Sequence, residues 1–164
     1  MNTSDIQLLY DYNYWANHLI LVRAAELSEQ QRLQPASFPF GNLHETLVHI
    51  LDAEYVWRTI CTNNRFEGRL VDKESFPTLE SLDTYWKKEE AEMRAFLDSL
   101  NDSDMENTVR YQAGDIERER VLWHCLIHMV NHGTQHRSQC AAMIKDLGKE
   151  PVTLDLTYYL NKRA

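Results

Sequence analysis

Two histidines one helical turn apart, His132 and His136, lie in the segment HMVNHGTQHRSQ near the end of the 164-residue chain. Their i, i+4 spacing puts both imidazoles on one face of a helix, where both can reach one metal ion. A third histidine, His49, lies far upstream in LVHILDAEYVW, and a facing helix can bring it to the same ion. Three protein nitrogens leave coordination positions free, which is the usual arrangement of a catalytic metal site. These three histidines are therefore the predicted ligands of a metal.

The apolar neighbours of these histidines indicate that the imidazoles point into the protein. A helix turns by about 100° per residue, so residues that share an arc can be identified from their positions. His132 and His136 share a narrow arc with Cys125, Met129, Met143 and Leu147, and His49 aligns with Ala53, Val56 and Ile60. Buried imidazoles need polar partners. A shared metal satisfies all three; the alternative is that each is a core histidine hydrogen-bonded to a hydroxyl or a carbonyl.

The residue types leave the identity of the metal open. Three neutral nitrogens suit Zn²⁺, Ni²⁺, Fe²⁺ or Co²⁺ alike. No glutamate follows the first histidine as in H-E-x-x-H, so the motif of the zinc proteases is absent. The predicted cofactor is therefore a divalent transition metal.

The other histidines are weaker candidates. His128 lies one turn before His132, at the edge of the same arc. Three roles are open for it: a metal ligand, a group that holds the tautomer of a ligand, or a residue on the flank of the helix. The remaining three lie further from this face and are expected in solvent: His18, His44 and His124.

Polar residues near the ligands are candidates for the surroundings of the metal. Asp52 and Glu54 flank His49, where a carboxylate can serve as a base or support a ligand. The alternative, and the commoner role for a single carboxylate, is a place on a solvated face. Tyr14 and Asn17, in the segment YNYWAN, are candidates to line the open side of the metal.

Periodic apolar residues predict four long helices, and hence an all-α fold with a four-helix bundle. The first helix is predicted to begin at Ser4, with Gln7 as its capping-box partner, and to end near Leu27. Its apolar stripe is Leu8, Tyr12, Trp15, Leu19 and Val22. The others are predicted from Asn42 to about Asn63, from Thr78 to about Leu100, and from about Val121 to Leu147. The alternating segments TVRYQ and IERERV favour a short hairpin before the fourth helix, and LDLTYYLNKR a short terminal helix. Residues 1–164 are expected to form one domain.

Composition excludes several classes of function. The net charge is −8 and the chain has no cluster of basic residues, which argues against binding to nucleic acid. No apolar run approaches the roughly 20 residues of a membrane span, and the start, MNTSDIQLLY, lacks the pattern of a signal peptide. Three cysteines, an odd number, give no disulfide framework, and core packing is their favoured role. We therefore expect a cytoplasmic protein that binds neither nucleic acid nor membrane.

Three segments resemble the DinB/YfiT-like family of metal-dependent enzymes: YDYNYWAN in the first helix, LVHILDAEYVW in the second and HMVNHGTQHRSQ in the fourth. The resemblance covers essentially the whole chain in matching order, and NHGTQHRSQ is its most specific part. It implies a four-helix bundle with a three-histidine metal site that opens to a pocket at one end. By position, His49, His132 and His136 match the family's ligands. Arg137 matches an arginine usually next to the last ligand, and Ser138 stands where the family typically has glycine.

The resemblance also implies candidate reactions. Some related bundles are S-transferases or isomerases that use low-molecular-weight thiols such as mycothiol, bacillithiol or glutathione. We therefore expect an enzyme that transfers such a thiol to a small electrophilic substrate. Two alternatives stay open: a metal-dependent hydrolase, and a non-catalytic module whose metal is structural or whose pocket only binds a ligand. A fourth inward ligand, for which His128 is the candidate, would favour a closed structural site.

A second apolar strip on the fourth helix predicts a homodimer, as the resemblance also implies. The strip lies opposite the histidine arc and consists of Trp123, Ile127, Val130, Thr134 and Ala141. A surface helix normally has one apolar stripe and one solvated face, so a second strip needs a cover. A second copy of the chain can supply it by two-fold pairing, and the terminal segment LDLTYYLNKR can cover part of it instead.

Overall fold

The computed structural model describes residues 1–150 and 152–163 and has four long helices with a hairpin between the third and the fourth. The helices are α1 (Thr3–Ala25), α2 (Glu29–Arg32), α3 (Leu43–Asn63), α4 (Leu79–Asp98), α5 (Leu122–Asp146) and α6 (Leu156–Arg163). Strands β1 (Thr108–Ala113) and β2 (Ile116–Val121) pair antiparallel. Short 3₁₀ turns lie at Leu70–Asp72 and Asp102–Glu106. The predicted four-helix bundle and hairpin are confirmed.

Short polar side chains determine where the helices begin. Asn2 caps α1 by accepting a hydrogen bond from the Asp5 backbone N–H at 2.8 Å, and the Asp5 carboxylate accepts one from the Asn2 N–H at 3.2 Å. The predicted cap at Ser4 was wrong, because a better box lies two residues earlier. The predicted caps of α3 and α4, Asn42 and Thr78, are confirmed.

The face that α1 buries differs from the predicted stripe. The buried stripe runs at 4-3-4-3-4 spacing through Ile6, Tyr10, Asn13, Asn17, Ile20 and Ala24. Val22, the last member of the predicted stripe, is 47% exposed. Two asparagines occupy the centre of the true stripe, so a search for apolar periodicity alone selects the neighbouring face.

A glycine lets α1 pack closely against α5. Gly133 lies between His132 and His136 on α5 and faces Asn13 on α1. A Cβ at this position would lie 2.8 Å from Asn13 Oδ1 and 2.6 Å from Arg137 Nη1. The two helices thus approach each other closely at the turn that carries both histidines of α5.

The C-terminal segment covers part of the second apolar strip on α5. The Tyr12 hydroxyl donates a hydrogen bond to the Leu154 carbonyl at 2.6 Å, and the Tyr159 ring lies 5.3 Å from the Trp15 ring. A cleft of about 490 Å³ is lined jointly by Ile127, Val130 and Thr134 of the strip and by Leu154 and Leu156. Because the chain supplies some of the cover itself, the strip is a weaker argument for the homodimer, which stays a prediction.

Two expectations from composition can be compared with the structure. The cysteines Cys61, Cys125 and Cys140 are free and buried, in agreement with their predicted place in the core. Within the described ranges, none of the helices is both long enough and apolar enough to cross a bilayer.

Gly133→Ala should lower the free energy of unfolding by about 1–3 kcal/mol, because the new methyl group would meet two side chains that hydrogen bonds hold in place. Helix propensity alone would favour alanine here by about 1 kcal/mol, so the sign of the effect is diagnostic. Urea denaturation measures it, with Ser138→Ala on the exposed side of α5 as the control. An alanine variant as stable as the wild type would contradict the close approach.

Candidate metal centre

Three histidines converge between α3 and α5. His49 comes from α3, and His132 and His136 come from successive turns of α5. One nitrogen of each ring lies within 4.8 Å of a nitrogen of each other ring, and His49 Nε2 is 3.1 Å from His132 Nε2. His136 is buried and the other two are half-buried. The structure therefore brings together the three residues that the spacing selected, in a group that could hold a metal ion.

The protonation state of two of the rings, His49 and His132, suits a metal. Burial lowers the pKa of His49 to about 4 and that of His132 to about 3, and the neighbouring His136 adds to both effects. Both rings are therefore neutral near pH 7. A neutral imidazole has a lone pair to give to a cation, so these residues fit a divalent metal without first losing protons.

Two residues outside the predicted set contact the cluster. Gln139 Oε1 lies 2.8 Å from His136 Nδ1, the position for a ring N–H that leaves Nε2 free for a metal. Phe40, in the loop before α3, stacks on His49 with ring centroids 3.8 Å apart and meets the edge of His136 at 5.4 Å. Gln139 could have been identified from its i+3 position after His136. Phe40 lies in an aperiodic loop, where pattern analysis has no signal.

His128 lies beside the cluster and outside the group of converging nitrogens. Its ring is exposed and packs edge-on against Trp57 at 4.7 Å, and its centroid is 6.1 Å from that of His132. Trp57 in turn contacts Tyr111 of the hairpin at 5.5 Å. In this structure His128 therefore forms part of an aromatic wall next to the histidines.

The two carboxylates that flank His49 are buried, so the prediction that each lies on a solvated face was wrong. Asp52 is 3% exposed and accepts hydrogen bonds from Arg69 Nε at 2.8 Å and from the Val71 N–H at 3.2 Å. Glu54 is 1% exposed. Asp52 thus anchors the loop after α3, and both of its carboxylate oxygens accept hydrogen bonds from that loop.

The expectation that His44 lies in solvent was also wrong. His44 is buried, and its Nε2 lies 2.7 Å from the Phe76 carbonyl oxygen. The loop before α4 folds over the first turn of α3 and covers this ring, a contact between segments that helical angles do not reveal. His18 and His124 are exposed, as predicted.

A buried polar network fills the interior of the bundle. Arg137, which is 1% exposed, donates from Nη1 to the side-chain carbonyls of Asn13 and Asn17. The amide nitrogens of both asparagines donate to Glu54 Oε1, at 2.9 and 2.8 Å, and Trp86 Nε1 donates to Oε2 at 2.7 Å. Arg137 and Asn17, candidates for the metal's surroundings, thus make their hydrogen bonds within this network.

Opposing effects act on the charge of Glu54. Burial raises the pKa of its carboxyl group to about 7, while the N–H donors of Asn13, Asn17 and Trp86 and the charge of Arg137 oppose the rise.

Tyr14, another candidate for the metal's surroundings, is also in the core. Its hydroxyl is buried with no hydrogen-bond partner among the described residues, and the Arg94 guanidinium lies 4.9 Å from its ring centroid.

Comparison with known proteins gives consistent results. The model of the DinB family matches residues 1–163. The protein DinB of Bacillus subtilis is 24% identical over 158 residues, which cover 93% of this chain and 91% of that protein. A DinB-like protein of Bacillus cereus has the same fold, with a TM-score of 0.74 and 17% identity over 93% of this chain and 97% of its own. A DinB-like protein of Bacillus subtilis has a TM-score of 0.68 and 13% identity over 90% and 96%.

Glu54→Gln should destabilise the protein most at low pH. The new amide group would put N–H donors against the donors of the network, at a cost of about 1–3 kcal/mol. Because burial raises the Glu54 pKa to about 7, its contribution to stability is fully present below the ordinary value of 4.5 and is lost as pH rises through 7. The gap between wild type and variant should therefore narrow between pH 5 and pH 8.

Urea denaturation across this pH range measures the gap, with the exposed Glu106→Gln as the control. A gap that widens with pH would mean that the donors and Arg137 outweigh burial.

Proposed function

This chain belongs to the DinB family, and from that premise we propose that it is an enzyme that depends on one divalent transition metal ion. His49, His132 and His136 are the proposed ligands, and the reaction proposed is transfer of a low-molecular-weight thiol to an electrophilic small molecule. Zn²⁺, Ni²⁺ and Fe²⁺ all suit three imidazoles. Bound there, the cation would supply a Lewis acid that lowers the pKa of a thiol or of water.

The observation that carries this proposal is the number of converging ligands. Among the residues that the structure describes, three side chains converge closely enough to hold one ion: His49, His132 and His136. His128, the candidate for a fourth, packs against Trp57 instead. Structural sites are closed by four protein ligands, whereas catalytic sites keep a position for substrate. Three ligands therefore favour catalysis over a structural role.

The engagement of the nearby carboxylates favours a thiol over water as the nucleophile. Asp52 is bonded to Arg69 and Val71, and Glu54 to Asn13, Asn17 and Trp86. Neither carboxylate is therefore free to act as the general base that takes the proton of water in many hydrolases. A thiol needs less help, because its ordinary pKa is about 8.5. The thiol would lose its S–H proton to solvent and its sulfur would form a bond to the electrophilic carbon. The electron pair displaced at that carbon would depart with a leaving group or, in an addition, pass from the broken π bond to the neighbouring atom, which then takes up a proton.

The chain's own residues would orient the reaction. His136 is held by Gln139, and Phe40 covers one face of His49. On the other side, His128 and Trp57 form an aromatic wall beside His132. These groups limit the directions from which a substrate can reach the three nitrogens, so the acceptor is expected to be small.

Replacing any one proposed ligand should remove most of the bound metal. His49→Ala, His132→Ala and His136→Ala each delete one of three nitrogens, so we expect near-stoichiometric metal in the wild type and at least a tenfold weaker affinity in each variant. Elemental analysis after dialysis and competition with a chromogenic chelator measure both quantities. The control is His18→Ala, an exposed histidine of α1. A triple variant that keeps one metal per chain at wild-type affinity would refute the assignment.

A thiol that binds the metal should change the spectrum of Co²⁺-substituted protein. Mycothiol, bacillithiol, glutathione or coenzyme A, added in turn, should produce a sulfur-to-metal charge-transfer band with at least one of them. The S-methylated form of the same thiol, which has no free sulfhydryl, is the matched control. If all four leave the spectrum unchanged, the proposed thiol chemistry is wrong and hydrolysis becomes the leading reaction.

A further inference from the structure

The three histidines are held in place in different ways. A histidine that binds a metal usually donates its second ring N–H to a fixed acceptor, which sets the tautomer and the orientation of the ring. His136 has this arrangement, because Gln139 Oε1 lies 2.8 Å from its Nδ1. His49 does not, because its Nδ1 is buried with no hydrogen-bond partner among the described residues. A hydrogen bond at Nδ1 therefore does not fix the plane of the His49 ring, and another contact is needed to do so.

Phe40 is placed to do this. Its ring lies almost parallel to that of His49, with an interplanar angle of 20° and a centroid distance of 3.8 Å. The same phenyl group meets His136 nearly at right angles, with a centroid distance of 5.4 Å and an interplanar angle of 70°. One aromatic side chain thus contacts a proposed ligand from each of the two helices that form the site.

The loop that carries Phe40 is itself constrained. The Gly41 N–H donates to the Phe38 carbonyl at 2.9 Å, and the Ala36 N–H donates to the Gly41 carbonyl at 2.7 Å. Gly41 has φ = 77°, a conformation that costs glycine little and other residues much. Two residues after Phe40, Asn42 caps α3. The phenyl group is therefore tied to the first turn of the helix that carries His49.

We propose that Phe40 is a positioning residue of the metal site, which holds the His49 ring in its ligating plane through the stack in place of the missing hydrogen bond. The proposal rests on the metal site put forward above. Rotation of the imidazole about its Cβ–Cγ bond would drive it into the phenyl face, so the stack restricts the ring to orientations near the observed one. It also keeps water from that face of the ring.

Removal of the stack should weaken metal binding with little effect on the fold. Loss of an outer partner of a metal ligand typically costs 10–100-fold in affinity, so we expect Phe40→Ala to weaken Zn²⁺ binding about tenfold in chelator competition. Phe40→Tyr keeps the flat face and should restore wild-type affinity. Phe40→Leu keeps an apolar anchor for the loop without a flat face, so it should fold well and still bind weakly.

The matched control is Phe38→Ala, two residues away in the same loop, whose ring is only partly buried and whose backbone bond to Gly41 is preserved. It should bind Zn²⁺ like the wild type. If Phe38→Ala weakens binding as much as Phe40→Ala, or if Phe40→Leu binds like the wild type, a stack on His49 is not the cause and the proposal is overturned.

A double-mutant cycle tests whether Phe40 acts through His49. In the His49→Ala background there is no ring to position, so adding Phe40→Ala should leave the residual Zn²⁺ affinity unchanged. A further tenfold loss in that background would overturn the proposal. The outcomes also separate the two proposals: wild-type protein that binds no metal defeats both, whereas tight wild-type binding with an unchanged Phe40→Ala variant defeats only the positioning role.

Discussion

A buried polar network that links Arg137 to Glu54 constrains the packing of the whole bundle. The guanidinium of Arg137 and the carboxylate of Glu54 are joined through two side-chain amides, and all the long helices contribute: Asn13 and Asn17 from α1, Glu54 from α3, Trp86 from α4 and Arg137 from α5. Burying a charge costs several kcal/mol unless its partners are in place. A shift of any helix by one residue would leave one of these groups without a partner, so the network selects a single register.

That register also determines the geometry of the proposed metal site. Arg137 follows His136 directly, and Glu54 lies five residues after His49 on the same helix. The hydrogen bonds that align α3 with α5 therefore align the histidines as well. Gly133 contributes on the same turn, because its missing side chain gives Asn13 the space to reach Arg137. The polar interior thus provides a frame in which three separate imidazoles can meet at one point.

Regular patterns in the sequence predicted the parts of this molecule that depend on local geometry. The four helices, the hairpin and the meeting of His49 with His132 and His136 all follow from helical spacing and apolar neighbours. The residues that were misjudged are those whose environment is created by distant segments. From its sequence neighbours Glu54 is predicted to be a surface carboxylate, but in the structure three N–H donors from α1 and α4 surround it. Phe40 lies in a loop without periodicity, so no pattern indicates its contact with His49. The buried face of α1 was mispredicted because its centre is formed by Asn13 and Asn17, and polar residues are not counted as core in an apolar pattern.

The short distance between His49 and His132 bears on how the protein would acquire the proposed metal. With one ring as donor and the other as acceptor, two neutral imidazoles whose Nε2 atoms are 3.1 Å apart satisfy each other. The bundle also has an extensive apolar core that does not include these rings. This contrasts with zinc fingers, which are unfolded without their ion. We therefore expect the fold to form without the proposed cation, in which case cellular supply as well as affinity would decide which metal binds.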